Sequence, residues 1–378
     1  MKRISIEPRP DWTEAVEGLG LVWHTPEGLP YWNEAAAYVL TAAEIGRIER
    51  ATRELYQLYL TAGDYVVEHR LFDRFSIPEW CWPLIEEAWI GEPPALNYGR
   101  FDLGFDGEGP PKLFEFNCDT PTSLLEAAVV QWDWKEQVFP RLGQSNDIHD
   151  QLVAKWRDIR PYLPTGPVHF AHARDALGED AVTTAYLMDT AREAGLDGER
   201  ISMGHIGWDG RRFVDLDRRE IRTLFHLYPW EWLVNEPFGR HILETRDRTR
   251  WIEPIWKMIW SNKAMLPLLW ELFPGHPNLL WAATEPGSKA TYVQKPILAR
   301  EGSNVRIVRD GQELAASGGR YGAGDVIYQG LYELPDFGGA RPVIGAWCVD
   351  GEPAGVGIRE DGLITGNLAR FTPHVVDG

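Results

Sequence analysis

Residues 112–126 read KLFEFNCDTPTSLLE, and the fold turns on what the middle of this stretch faces. The alternation predicts a strand that buries Phe114 and Phe116 and turns Glu115 and Asn117 to its other side. A turn of Asp119, Thr120, Pro121 and Thr122 follows. A carboxylate and a carboxamide two residues apart need something to meet them. Part of the answer lies upstream, in YGRFDLGFDGEGPPKLFEFN (98–117), where a Gly/Pro/Asp loop separates two alternating segments. A hairpin centred near Glu108 and Gly109 places Asp102 opposite Glu115 and Arg100 opposite Asn117, close enough on one face to hold one ligand.

Asp102, Glu115 and Asn117 form an all-oxygen set, the kind that Mg²⁺ prefers when water and phosphate oxygens complete its shell. Arg100 offers the alternative of a simple ion-pair network, and the spacing by itself leaves both open.

The 378 residues are enough for two or three lobes, and 44% hydrophobic with 25% charged residues is the balance of a soluble globular chain. With 38 Lys+Arg against 56 Asp+Glu the formal charge is −18, which repels nucleic acid and anionic membranes. An anionic ligand then needs a local basic pocket. Cys81, Cys118 and Cys348 are too widely spaced for a disulfide framework or a zinc pattern, so a reducing cytoplasm is expected. The N-terminus has no signal-peptide core and no run approaches a membrane span. Eighteen Trp are read as packing in cores rather than as sugar platforms.

Apolar spacing predicts helices over 30–62, 79–90 and 123–136, the last capped by Pro121-Thr122-Ser123. GPVHFAHA (166–173), RISMGHIGW (200–208) and IRTLFHLYPWEWL (221–233) read as strands around an amphipathic helix at 178–196, which is a small doubly wound α/β lobe. A helix at 254–273 (PIWKMIWSNKAMLPLLWELF) then leads into β-rich sequence. The expected division is 1–150, helical with the hairpin; 151–253, the small lobe; and 254–378, an α+β lobe.

Further candidates are cations in apolar or Gly-rich settings. In KPILAREGSNVRIV, Lys295 lies on a strand before a small-residue loop with Gly302 and Ser303, a pattern that can admit phosphate or be an ordinary hairpin. Lys263 sits among apolar helical residues, and Arg359 follows a Gly-rich strand in GVGIREDG. Glu231 stands between two Trp in HLYPWEW, where it has either a raised pKa, a cation to bind, or a satisfied partner. No HExxH or GxSxG pattern occurs, and Cys118 has no local base.

The order and wording of GRFDLGFDG…KLFEFNCDTPTSLLEAA, EPIWKMIWSNKAMLPLLWELFPGHPNLL, YVQKPILAREGSNV, IYQGLYELP and GVGIRE resemble the synthetase domain of the glutathionylspermidine synthase family, over about 95–365. The resemblance implies an ATP-grasp fold of permuted connectivity, because the metal set precedes the lysines. It further implies an ATP- and Mg²⁺-dependent ligase that phosphorylates a carboxylate and joins it to an amine. Asp102, Glu115 and Asn117 match the family's magnesium ligands, Arg100 the arginine that steadies the reacting group, and Arg359 that near the transferred phosphoryl. Lys263 and Lys295 match the nucleotide-phosphate lysines. Arg300, Gly302, Ser303 and Asn304 match the phosphate-covering lid, and Gln329 and Leu331 lie where the family holds adenine. Thr120 and Thr122 stand where glutathione-handling members carry serines, and Glu231 falls near the family's polyamine-binding acids within different surroundings. With about 95 residues ahead of the hairpin, the N-terminal amidase of bifunctional members is not expected. Two rivals are a non-catalytic ATP-binding regulator and a glycoside hydrolase using Glu115 and Asp102.

Overall fold

The computed structural model describes every residue except Arg174, Ala176, Gly322, Ala323 and Leu368. The hairpin forms as Tyr98–Gly104 against Lys112–Asn117, with Asp102 opposite Glu115 and Arg100 opposite Asn117. Its register shifts after Asp102, so that Leu103 pairs with Leu113 and Phe114 is the extra residue. Such a bulge leaves one residue out of the alternation. This corrects the expected burial of Phe114, which lines a cleft beside Tyr332. Phe116 does enter the core, stacked on Phe101 with ring centroids 3.8 Å apart and planes 7° from parallel.

The hairpin is one edge of a five-stranded sheet ordered Arg370–Phe371, Glu352–Asp361, Arg341–Val349, Tyr98–Gly104, Lys112–Asn117. Strands more than two hundred residues apart thus lie side by side, with Gly345 opposite Asp102, and the next strand along sets Arg359 opposite Val343. A second five-stranded sheet has the order Ala282–Ala283, Val326–Gln329, Tyr292–Pro296, Arg306–Arg309, Gln312–Ala316. The cleft lies between the two sheets, lined by Arg100, Asp102 and Glu115 from the first and by Val293, Lys295 and Ile307 from the second.

Helix Ala42–Glu68 lays Ile45, Ile48, Leu55, Tyr59 and Val66 on the core, where Tyr59 meets Phe116 edge-on at 5.1 Å. The expected helix over 30–62 instead begins as a strand, Ala36–Thr41, followed by a turn into that helix at a capping box formed by Thr41 and Glu44. β-Branched and aromatic residues in AAYVLT favour the strand, and the T-x-x-E signal sets the boundary. The helix over 123–136 forms without a side-chain cap, and Ser123 takes a left-handed φ of 63°.

Four parallel strands, ordered Arg250–Ile252, Thr223–Leu227, Val168–His172, Gly198–Ser202, form a separate sheet in the span expected to be doubly wound, with helix Glu179–Glu193 packed on them. Trp32, Trp134, Trp156, Trp230, Trp260 and Trp347 are fully buried, as packing residues should be. All three cysteines are free and buried, and among the described residues no helix is long and apolar enough to cross a membrane.

Candidate functional site

The expected helix over 254–273 is interrupted. A single turn of helix at Lys257–Trp260 and a longer helix at Met265–Leu272 are separated by Ser261–Ala264, where Asn262 donates to the Phe75 carbonyl (2.9 Å) and accepts from the Ala264 amide (2.9 Å). The break lets the Lys263 amide bond the Ile297 carbonyl at 3.0 Å and turns the side chain into the cleft. Its ammonium reaches Glu115 at 2.9 Å and the Ala299 carbonyl at 2.6 Å.

Lys295 approaches the same carboxylate from the second sheet. Its ammonium donates to the Phe114 carbonyl (3.2 Å) and to Gln329 Oε1 (2.7 Å) and lies 5.5 Å from the Phe114 ring. Gln329 in turn donates to the Leu113 carbonyl at 2.9 Å, so its carboxamide ties the sheets together, while Leu331 lines the cleft with Leu334, Val343 and Ile364. Burial pulls Lys295 down to about 8, with Glu115 opposing and Lys263 adding to the fall. Burial would raise Glu115, but Lys263 and then Lys295 outweigh it and hold that carboxyl at about 2.

Asp102 is 3% exposed and is gripped from both sides. Arg100 donates to it at 2.6 and 3.1 Å, and Arg359 at 2.7 Å. Arg100 also holds the Thr122 carbonyl and lies 5.7 Å from the Trp347 ring. Asn117 donates to Asp102 (3.2 Å) and to Glu115 (3.3 Å). The ion pairs that Arg100 offered as an alternative are therefore formed, and two further cations join them. A magnesium ion nevertheless suits this corner. Three oxygen-bearing side chains meet there on one face, and four cations against two carboxylates suit a polyphosphate that arrives with its metal.

The lid candidates form a turn beside the cleft. Gly302 has φ +65°, its carbonyl accepts from the Ser317 hydroxyl, and a Cβ there would sit 2.4 Å from the Thr365 carbonyl oxygen. The Ser303 amide bonds the Arg300 carbonyl (2.9 Å), and Asn304 Oδ1 accepts from the Tyr321 amide (2.9 Å). Arg300 turns away from Asp102 and Glu115. It donates to Glu231 at 3.1 and 2.8 Å and to the Thr120 hydroxyl, with Trp232 5.9 Å away. Glu231 thus has its cation, in a side pocket that adjoins the main cleft.

Sequence reading missed two acids at this junction. Asp119 is 2% exposed, and burial with the Glu231 charge lifts it to about 7. Glu179, at the start of its helix, lines the cleft, where burial and then Glu126 and Asp180 raise it to about 8. An acid directly after NC in the turn was legible as a candidate; Glu179 is more than fifty residues away and had no local signal. Elsewhere, His169, Glu199 and Asp215 cluster within metal-ligand range, but Arg219 already occupies both carboxylates at 2.5 and 2.7 Å.

Residues 3–377 match the family described as glutathionylspermidine synthase preATP-grasp. A Haemophilus influenzae protein provisionally assigned as an acid–amine ligase is 40% identical over 99% of both chains. Trypanothione synthetase of Crithidia fasciculata is 32% identical over 83% of this chain, which spans 52% of that protein. Among solved structures, a glutathione synthetase-like effector from Globodera pallida covers 98% of both chains with a TM-score of 0.59 at 10% identity, a likeness of fold alone.

Proposed function

The chain belongs to the glutathionylspermidine synthase family of carboxylate–amine ligases, and from that premise we propose that it uses ATP and Mg²⁺ to join a small peptide or amino-acid carboxylate to an amine through an acyl phosphate. One observation carries the reading. Two acids and Arg100 on one hairpin meet Lys263, Lys295 and Arg359 from remote segments in a single cleft between sheets. Phosphoryl transfer asks for cations and a metal around moving charge far more than for an acid or base.

In this reading Lys263 and Lys295 hold the nucleotide phosphates and Leu331 faces the adenine with the apolar wall. Gln329 supports it by fixing Lys295 rather than by a free carboxamide. Asp102, Glu115 and Asn117 are the residues that would hold magnesium, which supplies charge neutralisation at the transferred phosphoryl group. Arg100 and Arg359, each already aimed at Asp102, orient the carboxylate and the phosphoryl oxygens. Thr120 and Thr122 border the carboxylate substrate, and Glu231 faces the amine. The turn of Arg300, Gly302, Ser303 and Asn304 covers the phosphates and excludes water that would hydrolyse the acyl phosphate. The family's permuted ATP-grasp connectivity and its lobe division at 150 and 253 belong to the same proposal, as does a reducing cytoplasm for the three free thiols.

A glycoside hydrolase needs one carboxylic acid kept protonated, whereas Glu115 is held at about 2 and Asp102 is locked by two arginines. The test is ADP release with ATP and Mg²⁺, screened over glutathione and other short peptides crossed with spermidine, other polyamines and amino acids. Release that needs both a carboxylate and an amine supports the ligase. Nucleotide binding with no release from any pair favours a silent regulatory site.

A further inference from the structure

We propose that His169, Glu199 and Asp215 bind a zinc-class divalent transition-metal ion, which takes the place of the Arg219 guanidinium between the two acids. The three residues lie outside both the main cleft and its side pocket, so the inference stands apart from the ligase reading.

The ligand set follows from the register of the four-stranded sheet. His169 on Val168–His172 lies directly opposite Glu199 on the parallel neighbour Gly198–Ser202, which sets both side chains on one face. Asp215 follows the short strand Phe213–Val214, which pairs with Gly207–Trp208. The Asp217 and Arg219 amides donate to Asp215 Oδ1 at 2.9 and 2.8 Å. The backbone thus fixes this carboxylate and leaves Oδ2 to face the imidazole.

That imidazole is the observation that points to a metal. His169 is 2% exposed, and neither of its ring nitrogens has a hydrogen-bond partner among the described residues. Buried His226 and His374 each use both nitrogens, the first on the Tyr228 and Glu253 carbonyls, the second on Gln131 Oε1 and the Ser145 amide. A buried polar atom left unpaired is costly, so the fold holds His169 at a loss that a ligand would repair. Its Nε2 stands 3.6 Å from Asp215 Oδ2 and 3.8 Å from Glu199 Oε2, too far for hydrogen bonds. Zinc bonds of about 2.0–2.2 Å at tetrahedral angles put neighbouring donor atoms about 3.4 Å apart. The three side chains therefore need only a small contraction to meet one ion, with water as the fourth ligand.

Arg219 is the cation that the ion displaces. Its guanidinium donates to Glu199 at 3.0 and 2.5 Å and to Asp215 Oδ2 at 2.7 Å, and makes no bond to the imidazole. The side chain is 53% exposed, and Asp217 offers it a second carboxylate 3.7 Å away on the outer side. Ion pairs this open to water are weak, so the guanidinium yields to an ion that takes both acids and the imidazole together. A ring nitrogen in the set favours zinc and its neighbours over magnesium or calcium, which prefer oxygen throughout. Once bound, the ion clamps two adjacent strands to the turn after Phe213–Val214, segments spread over residues 169–215.

The test is zinc uptake by the purified chain from a chelator-buffered Zn²⁺ series, with excess Mg²⁺ present to saturate oxygen sites. The parent is expected to take up one zinc per chain and to melt at a higher temperature when loaded. His169→Ala and Glu199→Gln should each weaken that uptake at least about a hundredfold, since even groups behind a ligand are worth about tenfold or more. Arg219→Ala, which keeps the backbone amide that holds Asp215, should bind zinc on the order of tenfold tighter because the competing cation is gone. Surface pairs such as His149 with Glu193 offer only two ligands and fill at higher zinc, unaffected by these changes. Should His169→Ala lose its circular dichroism spectrum, the part-exposed Glu199 and Arg219 variants decide. A parent that takes up no zinc overturns the proposal and leaves His169 an ion-pair partner of the two acids. Uptake unchanged in Glu199→Gln, or no tighter in Arg219→Ala, overturns it as well.

Discussion

Nucleotide affinity should weaken as pH rises past about 8, because Lys295 loses its proton there. Burial takes its ammonium from water, Glu115 returns part of that cost, and Lys263 adds repulsion, which together leave the group titrating at about 8 instead of 10.5. If phosphate binding requires the charged form, the observed affinity falls in proportion to the protonated fraction. Between about pH 7 and pH 9 that fraction drops about tenfold, or ~1.4 kcal/mol of binding. The assay is calorimetric titration with Mg·ADP at constant ionic strength, since the ADP phosphates are fully ionised across most of that interval. Glu179 also ionises at about 8 and adds a negative charge to the cleft. Lys295→Arg separates the two, because a guanidinium stays charged throughout and leaves only the Glu179 contribution. A parent affinity that is flat to pH 9, or a Lys295→Arg variant that falls as steeply, refutes the reasoning. The same depressed pKa has a folding consequence of opposite sense. The folded state binds fewer protons than the unfolded chain between about 8 and 10.5, so Lys295 makes the protein more stable as pH rises through that window.

Glu115→Gln should abolish Mg²⁺-dependent turnover while the protein stays folded, and removing the charge that supports Lys295 should move the loss of ADP affinity to lower pH; unchanged turnover removes the metal role. Gly302→Ala forces a Cβ to within 2.4 Å of the Thr365 oxygen at a left-handed φ, so the lid turn must shift. Steady-state kinetics should show kcat reduced on the order of tenfold with little change in urea midpoint. Phe101→Ala removes the ring stacked on Phe116 and touched by Tyr59, at an expected cost of about 3–5 kcal/mol in urea unfolding, and a cost under about 1 kcal/mol would mean the stack is not part of the core.

The hairpin was legible because its information is local. Alternation over 98–117 and a Gly/Pro/Asp loop specify both strands, and with them the pairing of Asp102 with Glu115. The strand–helix–strand order over 168–227, its parallel sheet and the packing role of the tryptophans were readable for the same reason, since periodicity reports which face is covered. A capping box in TAAE could have marked the start of helix Ala42–Glu68, and its neglect made the helix over 30–62 too early. Phe114 was not legible. Whether a pleat carries an extra residue depends on what the neighbouring strand and the opposite sheet accept, and here a bulge turned the ring toward Lys295. The break at Ser261–Ala264 likewise depends on Phe75 and Ile297, far away in the chain, as partners for Asn262 and Lys263. The sequence by itself determined which residue types were present for phosphate chemistry and which strand carried the acids. Only the tertiary structure decided which cation neutralises which acid, that Arg300 sits with Glu231 rather than with Asp102, and that Asp119 is buried with one oxygen unpartnered among the described residues. Those outcomes depend on desolvation and on distances between segments that share no local pattern, and a one-dimensional code does not carry them.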